Sequence, residues 1–587
     1  MSVDPRCFLF TSTSGVGVRK SLALLQRAVE QASQLPQGQG PVVLYLEDYL
    51  NAGDHVRRVS PQSPEPDAFT SALMLPKPLL RRLWAEAAQR VVCEADTARE
   101  RGRDVFVHLH ACWYQHRNRE LTSFVDPFGL LDAGASPVVT LIDDVFDVRA
   151  RLLDDGRLLM DDLGADATVS DRVTQAARQI RFCLRWRHMD IVVTELVASA
   201  LAGGAHYLFA VKHPVETLRR LLYRPDLHTV YLSHPISGPR RLLSSAEEAC
   251  RKEGEHCVNE ICEVANLLRW DPSLVVFEPA GIDELRFLTS SIDKREYPIP
   301  VLSERWPIPP ATEGELVWVS PDAELEYDGR FAFDEDLSDL ATEREPGAGA
   351  STEDEAMDRA LLFGVQVVFD DMEEQINSRD HQLVDQSDSL AVYRPLFRGV
   401  ASQGVNEEVV YFAHLVEDEA AADSGKLAII YSPIEDEARY CAERIRVQMM
   451  DWRAEGALSE RNGESIENIE IEELLSLAAQ LGPLGEAERG GRFDEWARER
   501  GMSLRMPPRA RKRSQHALGP DGAATRQQWL GSDVASALTG CLDEPYFVLL
   551  AQRLPKAFVV ERGPLTVVEF ADMVRKYVGK GSIAPRV

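Results

Sequence analysis

Two hydrophobic patterns alternate along most of the chain. Short apolar runs, "CFLF" (7–10), "VVLYLEDYL" (42–50), "DVFVHLH" (104–110), "PVVTLIDDV" (137–145) and "YLFAVKH" (207–213), have strand length and strand composition. Between them, 22–32, 79–100 and 171–203 carry apolar residues at helical spacing. Strands alternating with helices predict a parallel sheet covered on both faces over 1–225. A second set begins at "TVYLSH" (229–234) and continues through "SLVVFEPA" (273–280), "GVQVVFD" (364–370), "SLAVYRP" (389–395) and "KLAIIYS" (426–432). It predicts a second doubly wound sheet over 226–440. Within that domain, 296–358 is rich in Pro, Gly and acidic residues, and is expected as an insertion, with a lid as the alternative. A helix is expected at 435–455, and 441–587 forms a C-terminal module, α-rich or α/β, of no assigned function. The fold class expected is therefore α/β, two doubly wound parallel-sheet domains followed by that module, with no internal repeat.

Composition narrows the functions. A length of 587 residues exceeds a single core. The net charge of −29 repels polyanions, so no strong nucleic-acid binding is expected. A small phosphorylated ligand remains compatible, because nearby arginines and backbone N–H groups act at short range. The basic stretch 505–516 reads as a solvated loop or an anionic-partner site. No stretch has bilayer-spanning apolar length, "MSVDPRCFLF" does not look like a secretory signal, and the nine cysteines form no CxxC. A cytoplasmic location and no membrane partner are expected.

The first chemical candidate is "TSTSGVGVRKSL" (11–22), between the first strand and the first helix. Phosphate-binding loops of this type place Gly, four residues, then Gly-Lys-Ser/Thr. Here Ser12 stands at the first glycine position, and Val18 and Arg19 intervene between Gly17 and Lys20. The nucleotide-binding candidates are Ser14, Gly15, Gly17, Arg19, Lys20 and Ser21. Lys20 would reach terminal phosphates and Ser21 would hold Mg²⁺; either the loop bulges or Arg19 replaces the lysine. Asp143 and Asp144 are metal-ligand candidates through water, or helix caps. His108 and His110 share a strand face but lack a third ligand. Together with "VVTLIDDVFDVRARLL" and "IVVTELVASALAGGAHYLFAVKH", the loop resembles nucleoside-monophosphate kinases of the adenylate kinase type. That resemblance implies ATP and Mg²⁺ as cofactors of 1–225.

The most informative stretch is 376–413, "INSRDHQLVDQSDSLAVYRPLFRGVASQGVNEEVVYFA". It contains I-x-x-R-D (Ile376, Arg379, Asp380), an aspartate leading into a strand (Asp388), and S-x-G-x-x-x-E (Ser402, Gly404, Glu408) at a helix start. Upstream, "YLSHPISGPRR" supplies Tyr231, Ile236, Gly238, Arg240 and Arg241. Both blocks, in this order, resemble the nucleoside 2-deoxyribosyltransferase superfamily. The nearest branch hydrolyses the N-glycosidic bond of nucleoside 5′-monophosphates. The likeness covers roughly 228–440.

Breaking a ribosyl N-glycosidic bond builds positive charge on the sugar, which a carboxylate stabilises or attacks. A second acid protonates the departing base or holds its nitrogens. The resemblance assigns Glu408 to the first role and Asp380 to the second, with Arg379 expected to point away. It assigns Tyr231, Ile236, Gly238, Arg240, Asp388, Ser402 and Gly404 to the substrate and its 5′-phosphate, with no cofactor. Each residue also has a structural reading. Glu408 suits a helix start electrostatically, Glu407 takes its role if the register shifts by one, and Asp380 pairs with Arg379 or Lys294. His234, Pro235, Glu407 and Val410 depart from the family pattern and leave the base preference open. The expected function is hydrolysis or transfer at the N-glycosidic bond of a nucleotide, alongside a kinase-like nucleotide-binding domain. Nucleotide depletion in phage defence would suit that pairing. The alternatives are a nucleotide kinase whose catalyst is the first domain, and a non-catalytic nucleotide sensor. The resemblance also implies a homo-oligomer.

Overall fold

The computed structural model describes residues 5–36, 38–50, 75–115, 120–126, 137–155, 169–201, 205–236, 238–239, 242, 247–279, 282, 371, 374–419, 425–460, 465–505 and 529–579. The expected strand at 364–370, the acidic insertion 296–358 with its lid reading, and nearly all of the basic stretch lie outside them. The protein is α/β with two five-stranded parallel sheets flanked by helices. Contacts divide it into two units. The first takes the described residues from 5 to 232 and from 265 to 388, and the second those from 233 to 264 and from 389 to 579.

The first unit holds one whole sheet: β1 (Cys7–Ser12), β2 (Val42–Tyr45), β3 (Val105–Leu109), β4 (Val138–Ile142) and β5 (His206–Ala210), in the order β2-β3-β1-β4-β5. β1, β3 and β4 are buried at every residue, as strands covered on both faces must be. Helix α1 (Val18–Ala32) turns Leu22, Leu25 and Val29 inward, and α2 (Lys77–Glu100) does the same with Leu80, Leu83, Trp84, Ala87 and Val91. Three- and four-residue spacing puts these on one face. Then come α3 (Val145–Asp154), α4 (Val169–Ala200) and α5 (Val215–Tyr223). The second half of "VVLYLEDYL" is not strand but a 3₁₀ turn, Leu46–Tyr49. That turn buries both Leu46 and Glu47, which continued strand alternation would place on opposite faces.

The second sheet contains β6 (His228–Ser233), β7 (Leu274–Phe277), β8 (Ser389–Tyr393), β9 (Leu427–Tyr431) and β10 (Phe558–Glu561), in the order β10-β9-β8-β6-β7. The helices between and after these strands in the chain are α6 (Glu248–Arg269), α7 (374–385), α8 (Gln403–Glu419) and α9 (Ile434–Ala454). In open α/β sheets, ligands bind outside the carboxyl ends of the strands where strand order reverses. Here the chain goes β6 to β7, then returns past β6 to β8.

The C-terminal stretch contributes a strand to this sheet. β10 pairs in parallel with β9, Ala428 opposite Phe558 and Tyr431 opposite Glu561. Phe558 packs edge-on against Phe412 of α8, with ring centroids 5.8 Å apart. The residues between form a helical cluster of their own: α9 with α10 (Ile471–Leu481), α11 (Glu486–Glu499) and α12 (Ala535–Leu542) around Trp452, Phe493 and Trp496. Gly490 lets α11 lie against the backbone of Leu530, where a Cβ would fall 1.8 Å from the carbonyl oxygen. The chain then runs through α13 (Tyr546–Arg553) and β10 to α14 (Val567–Val578), which a Thr566–Glu569 capping box starts. Among the described residues, no single helix is long and apolar enough to cross a membrane. No cysteine is in a disulfide.

Phe558→Ala removes a buried ring from the junction of β10 and α8. It is expected to cost the second unit about 3–5 kcal/mol, read as an earlier denaturant transition by tryptophan fluorescence.

Candidate functional site

Two segments distant in sequence meet within the second unit. Ser233, the last residue of β6, donates its hydroxyl hydrogen to Glu408 Oε2. Five residues on, Gly238 lies against the Phe397 ring; a Cβ there would stand 2.7 Å from Phe397 Cδ1. Phe397 belongs to a short hairpin, Leu396–Phe397 paired with Val400–Ala401, which leads to Ser402 and α8. Ile236, between the two contacts, is buried. The two sequence blocks are thus held together by one hydrogen bond and one close packing contact.

Glu408 is 5% exposed. Glu407 points the other way, since one residue is about 100° of helix turn, and it accepts from Gln403 Nε2 at 2.9 Å on the surface. The enclosed carboxylate is therefore Glu408. Ser402 precedes α8, its N–H donating to Pro395 O (3.1 Å) and its carbonyl accepting from Asn406 N (2.9 Å). Gly404 is exposed, with nothing within 4 Å of where a Cβ would lie. The approach to this turn is shaped by Arg394, which follows β8 with φ +52°. That conformation is uncommon for a side-chain-bearing residue. It is held by a two-pronged bond to Asp436 (3.0 and 3.1 Å) and a contact to Glu260 (3.1 Å).

The remaining candidates of this set belong to the first unit. Asp380, on α7, is buried and accepts from Arg379 Nε at 2.9 Å. Arg379 thus does not point away from Asp380 as expected; the helix lets its guanidinium fold back onto the next carboxylate. A guanidinium at hydrogen-bond distance favours the ionised carboxylate. Asp388 is not at the ligand end of its strand. It precedes β8, and its Oδ2 accepts from Thr229 N (2.8 Å) and Oγ1 (2.9 Å) at the start of β6, while its own N–H donates to Thr229 Oγ1 (2.8 Å). This is a clamp between strand starts, and the family's substrate role does not suit it. Tyr231 is fully enclosed in the middle of β6. Arg240, Arg241 and Lys294 lie outside the described residues.

The glycine loop of the first unit leads directly into α1. Gly17 takes φ +77° and is the N-cap of α1, which begins at Val18 and has neither a side-chain cap nor an acidic first turn. Lys20 and Ser21 follow in that turn, their N–H groups donating to Gly17 O at 3.2 and 3.4 Å. Arg19 does not take the lysine's place. It is exposed, paired with Asp48, and stacked 4.2 Å over the Tyr45 ring. Gly15 has φ +88°. Ser14 is buried, and its hydroxyl has no partner among the described residues.

Asp143 does not fit a metal ligand. One carboxylate oxygen meets the Arg151 guanidinium; the other accepts from Asp144 N (2.8 Å) and lies 3.5 Å from Lys212 Nζ. Lys212 also contacts Asp147 at 2.5 Å and lies 3.9 Å from Asp144. Asp144 caps α3 by accepting from Phe146 N at 2.9 Å. Among the described residues, no group of three His, Cys, Asp or Glu side chains is able to hold a metal ion.

His108 and His110 belong to a buried polar cluster whose other members, Ser12, Glu47 and Asp190, the sequence did not connect to them. Ser12 Oγ contacts His108 Nε2 at 2.9 Å, Glu47 accepts from His110 N at 2.9 Å, and Asp190 of α4 accepts from Cys112 N at 2.8 Å. Burial works against the Glu47 charge, but the imidazoles of His110 and His108 outweigh it and hold the carboxyl at about 2. Burial pushes Asp190 up to about 7, against the pull of His110 and a bond from Thr13. One signal was available: Asp190 sits three and four residues from Trp186, Val193 and Thr194, on the buried side of α4.

No family model and no curated protein matches the chain.

Asp190 rises from its ordinary 3.8 to about 7 on folding. Between those values the folded chain holds a proton that the unfolded chain releases, so this group's contribution to stability falls as pH rises. Asp190→Asn keeps an acceptor for Cys112 N–H and does not titrate. Its Tm is expected to gain on wild type as pH rises from 5 to 7.5, by the equivalent of a few kcal/mol, on the order of 1.4 kcal/mol per pH unit. Parallel melting curves across that range check it.

Proposed function

We propose that the chain cleaves the N-glycosidic bond of a nucleoside 5′-monophosphate or related nucleotide. Glu408 is the carboxylate that faces the anomeric carbon, and the first unit's glycine loop binds a nucleotide. The observation that carries this reading is the Ser233–Glu408 hydrogen bond. It joins the two resembling blocks through a buried acid, close in sequence to a glycine that packs directly on Phe397 of the other block.

The chemistry suits such a group. As the C–N bond breaks, its electron pair leaves with the base and positive charge collects on the sugar ring. A carboxylate removed from bulk water opposes that charge more strongly than a hydrated one. Ser233 fixes its direction. Water then adds to the anomeric carbon, and its proton ends on the base or in solvent. The open first turn of α8, with exposed Gly404 and half-exposed Ser402, suits the 5′-phosphate, since a helix N-terminus attracts anions. Asp380, which the resemblance assigns to the leaving base, lies in the first unit paired with Arg379, an arrangement that suits an acceptor better than a proton donor. The engagement of Asp143 by two cations favours binding over phosphoryl transfer in the first unit. A homo-oligomer and nucleotide depletion in phage defence belong to the same proposal.

Incubation with a panel of nucleoside monophosphates, with chromatography for free base, tests it. Glu408→Gln is expected to lose at least about 100-fold in kcat, and Glu407→Gln to stay within about threefold. Equal activity in the two variants would sink the assignment.

Ser233→Ala leaves Glu408 in place but removes its orienting hydroxyl. A fall in kcat of about tenfold with KM nearly unchanged is expected, measured by initial rates of base release.

A further inference from the structure

The glycine loop lacks its lysine at the usual place, Arg19 is turned outward, and Asp143 is closed to a metal. Another cation nevertheless lies on the loop. Arg151, from the last turn of α3, donates Nη1 to Gly15 O at 2.6 Å and Nε to Asp147 O at 3.1 Å, and its Nη2 meets Asp143. A Cβ on Gly17 would stand 3.1 Å from Arg151 Nη1, so the guanidinium also lies against the helix cap. Its side chain is 18% exposed, which leaves it reachable. A guanidinium has five N–H donors. Three are used, and two remain without an acceptor among the described residues.

The groups around it complete an anion site. Ser14 contributes a buried hydroxyl with no partner among the described residues. The N-terminus of α1 carries no acidic residue and no side-chain cap. Both glycines hold left-handed conformations that turn backbone N–H groups through the loop. Lys212, among Asp143, Asp144 and Asp147, offsets part of the negative charge that would otherwise repel an anion. It fills the position from which a divalent cation would otherwise serve those carboxylates.

We infer that Arg151 is the cation that grips the phosphate at this loop, and that the phosphate is taken without a divalent metal. Asp143 orients the guanidinium rather than holding Mg²⁺. The inference rests on the reading of the loop as a nucleotide site and names the residue and charge chemistry by which it works.

The test is calorimetric titration of the full chain with ATP and with inorganic pyrophosphate, each in excess Mg²⁺ and in EDTA. Wild type is expected to bind both, with less than about a twofold change on EDTA addition. Arg151→Ala is expected to weaken binding about tenfold or more, since charged hydrogen bonds are lost. Arg151→Lys, which keeps the charge and the Asp143 pair but loses the fork, should fall between them. Arg19→Ala should match wild type. If Arg151→Ala does not fold, as judged by its melting curve, the lysine variant decides: wild-type affinity there overturns the inference. Undiminished binding by Arg151→Ala, or loss of wild-type binding in EDTA, also overturns it and leaves the loop a nucleotide site. Failure of wild type to bind either probe removes the loop reading itself, while base release judges the glycosidase separately.

Discussion

A carboxylate withdrawn from water must be met by a hydrogen bond or a countercharge, and each carboxylate of interest in this protein is. Glu408 has the Ser233 hydroxyl, Asp380 the Arg379 guanidinium, Asp143 two cations, and Glu47 the His110 amide. The partner sets the chemistry each acid is able to do. A hydroxyl orients a charge without cancelling it, as Ser233 does for Glu408. A guanidinium or ammonium neutralises, so Asp143 is withdrawn from metal chemistry.

The parallel sheets explain why these groups gather where they do. β1, β3 and β4 are buried along their lengths, and the polar residues they carry are met by hydrogen bonds, Thr11 with Thr140 and Thr194 and His108 with Ser12. Ser12 and Ser233 are each the last residue of their strand. Asp388 stands before its strand and therefore meets Thr229, another strand start. Position along the strand decides whether an acid is placed for a ligand or for cohesion.

Much of the architecture was legible because periodicity reports burial. The helices at 77–100, 169–200 and 434–454 and nine of the ten sheet strands appear near their expected positions. The strand 364–370 falls outside the described residues, and 46–49 departs because Glu47 follows its partners inward rather than the strand pattern. Pattern marks a strand but not its neighbours, so β10 could be read as extended without its place beside β9 being visible. The same holds for the site. The blocks around Gly238 and Glu408 carry the resemblance in the sequence, whereas Ser233 was one hydroxyl among many until folding set it against Glu408. The Asp380–Arg379 pair was one of the readings the sequence offered, whereas Arg151 was hidden because a long flexible side chain declares its target only in three dimensions.

The late arrival of β10 has a consequence for biosynthesis. Until 558–561 has left the ribosome, β9 presents an unpaired backbone edge, and everything from 432 to 557 is translated while that edge waits. Open edges recruit other strands. A nascent or prematurely terminated chain therefore exposes β9 as its margin, whereas in the finished sheet the margin is the four-residue β10.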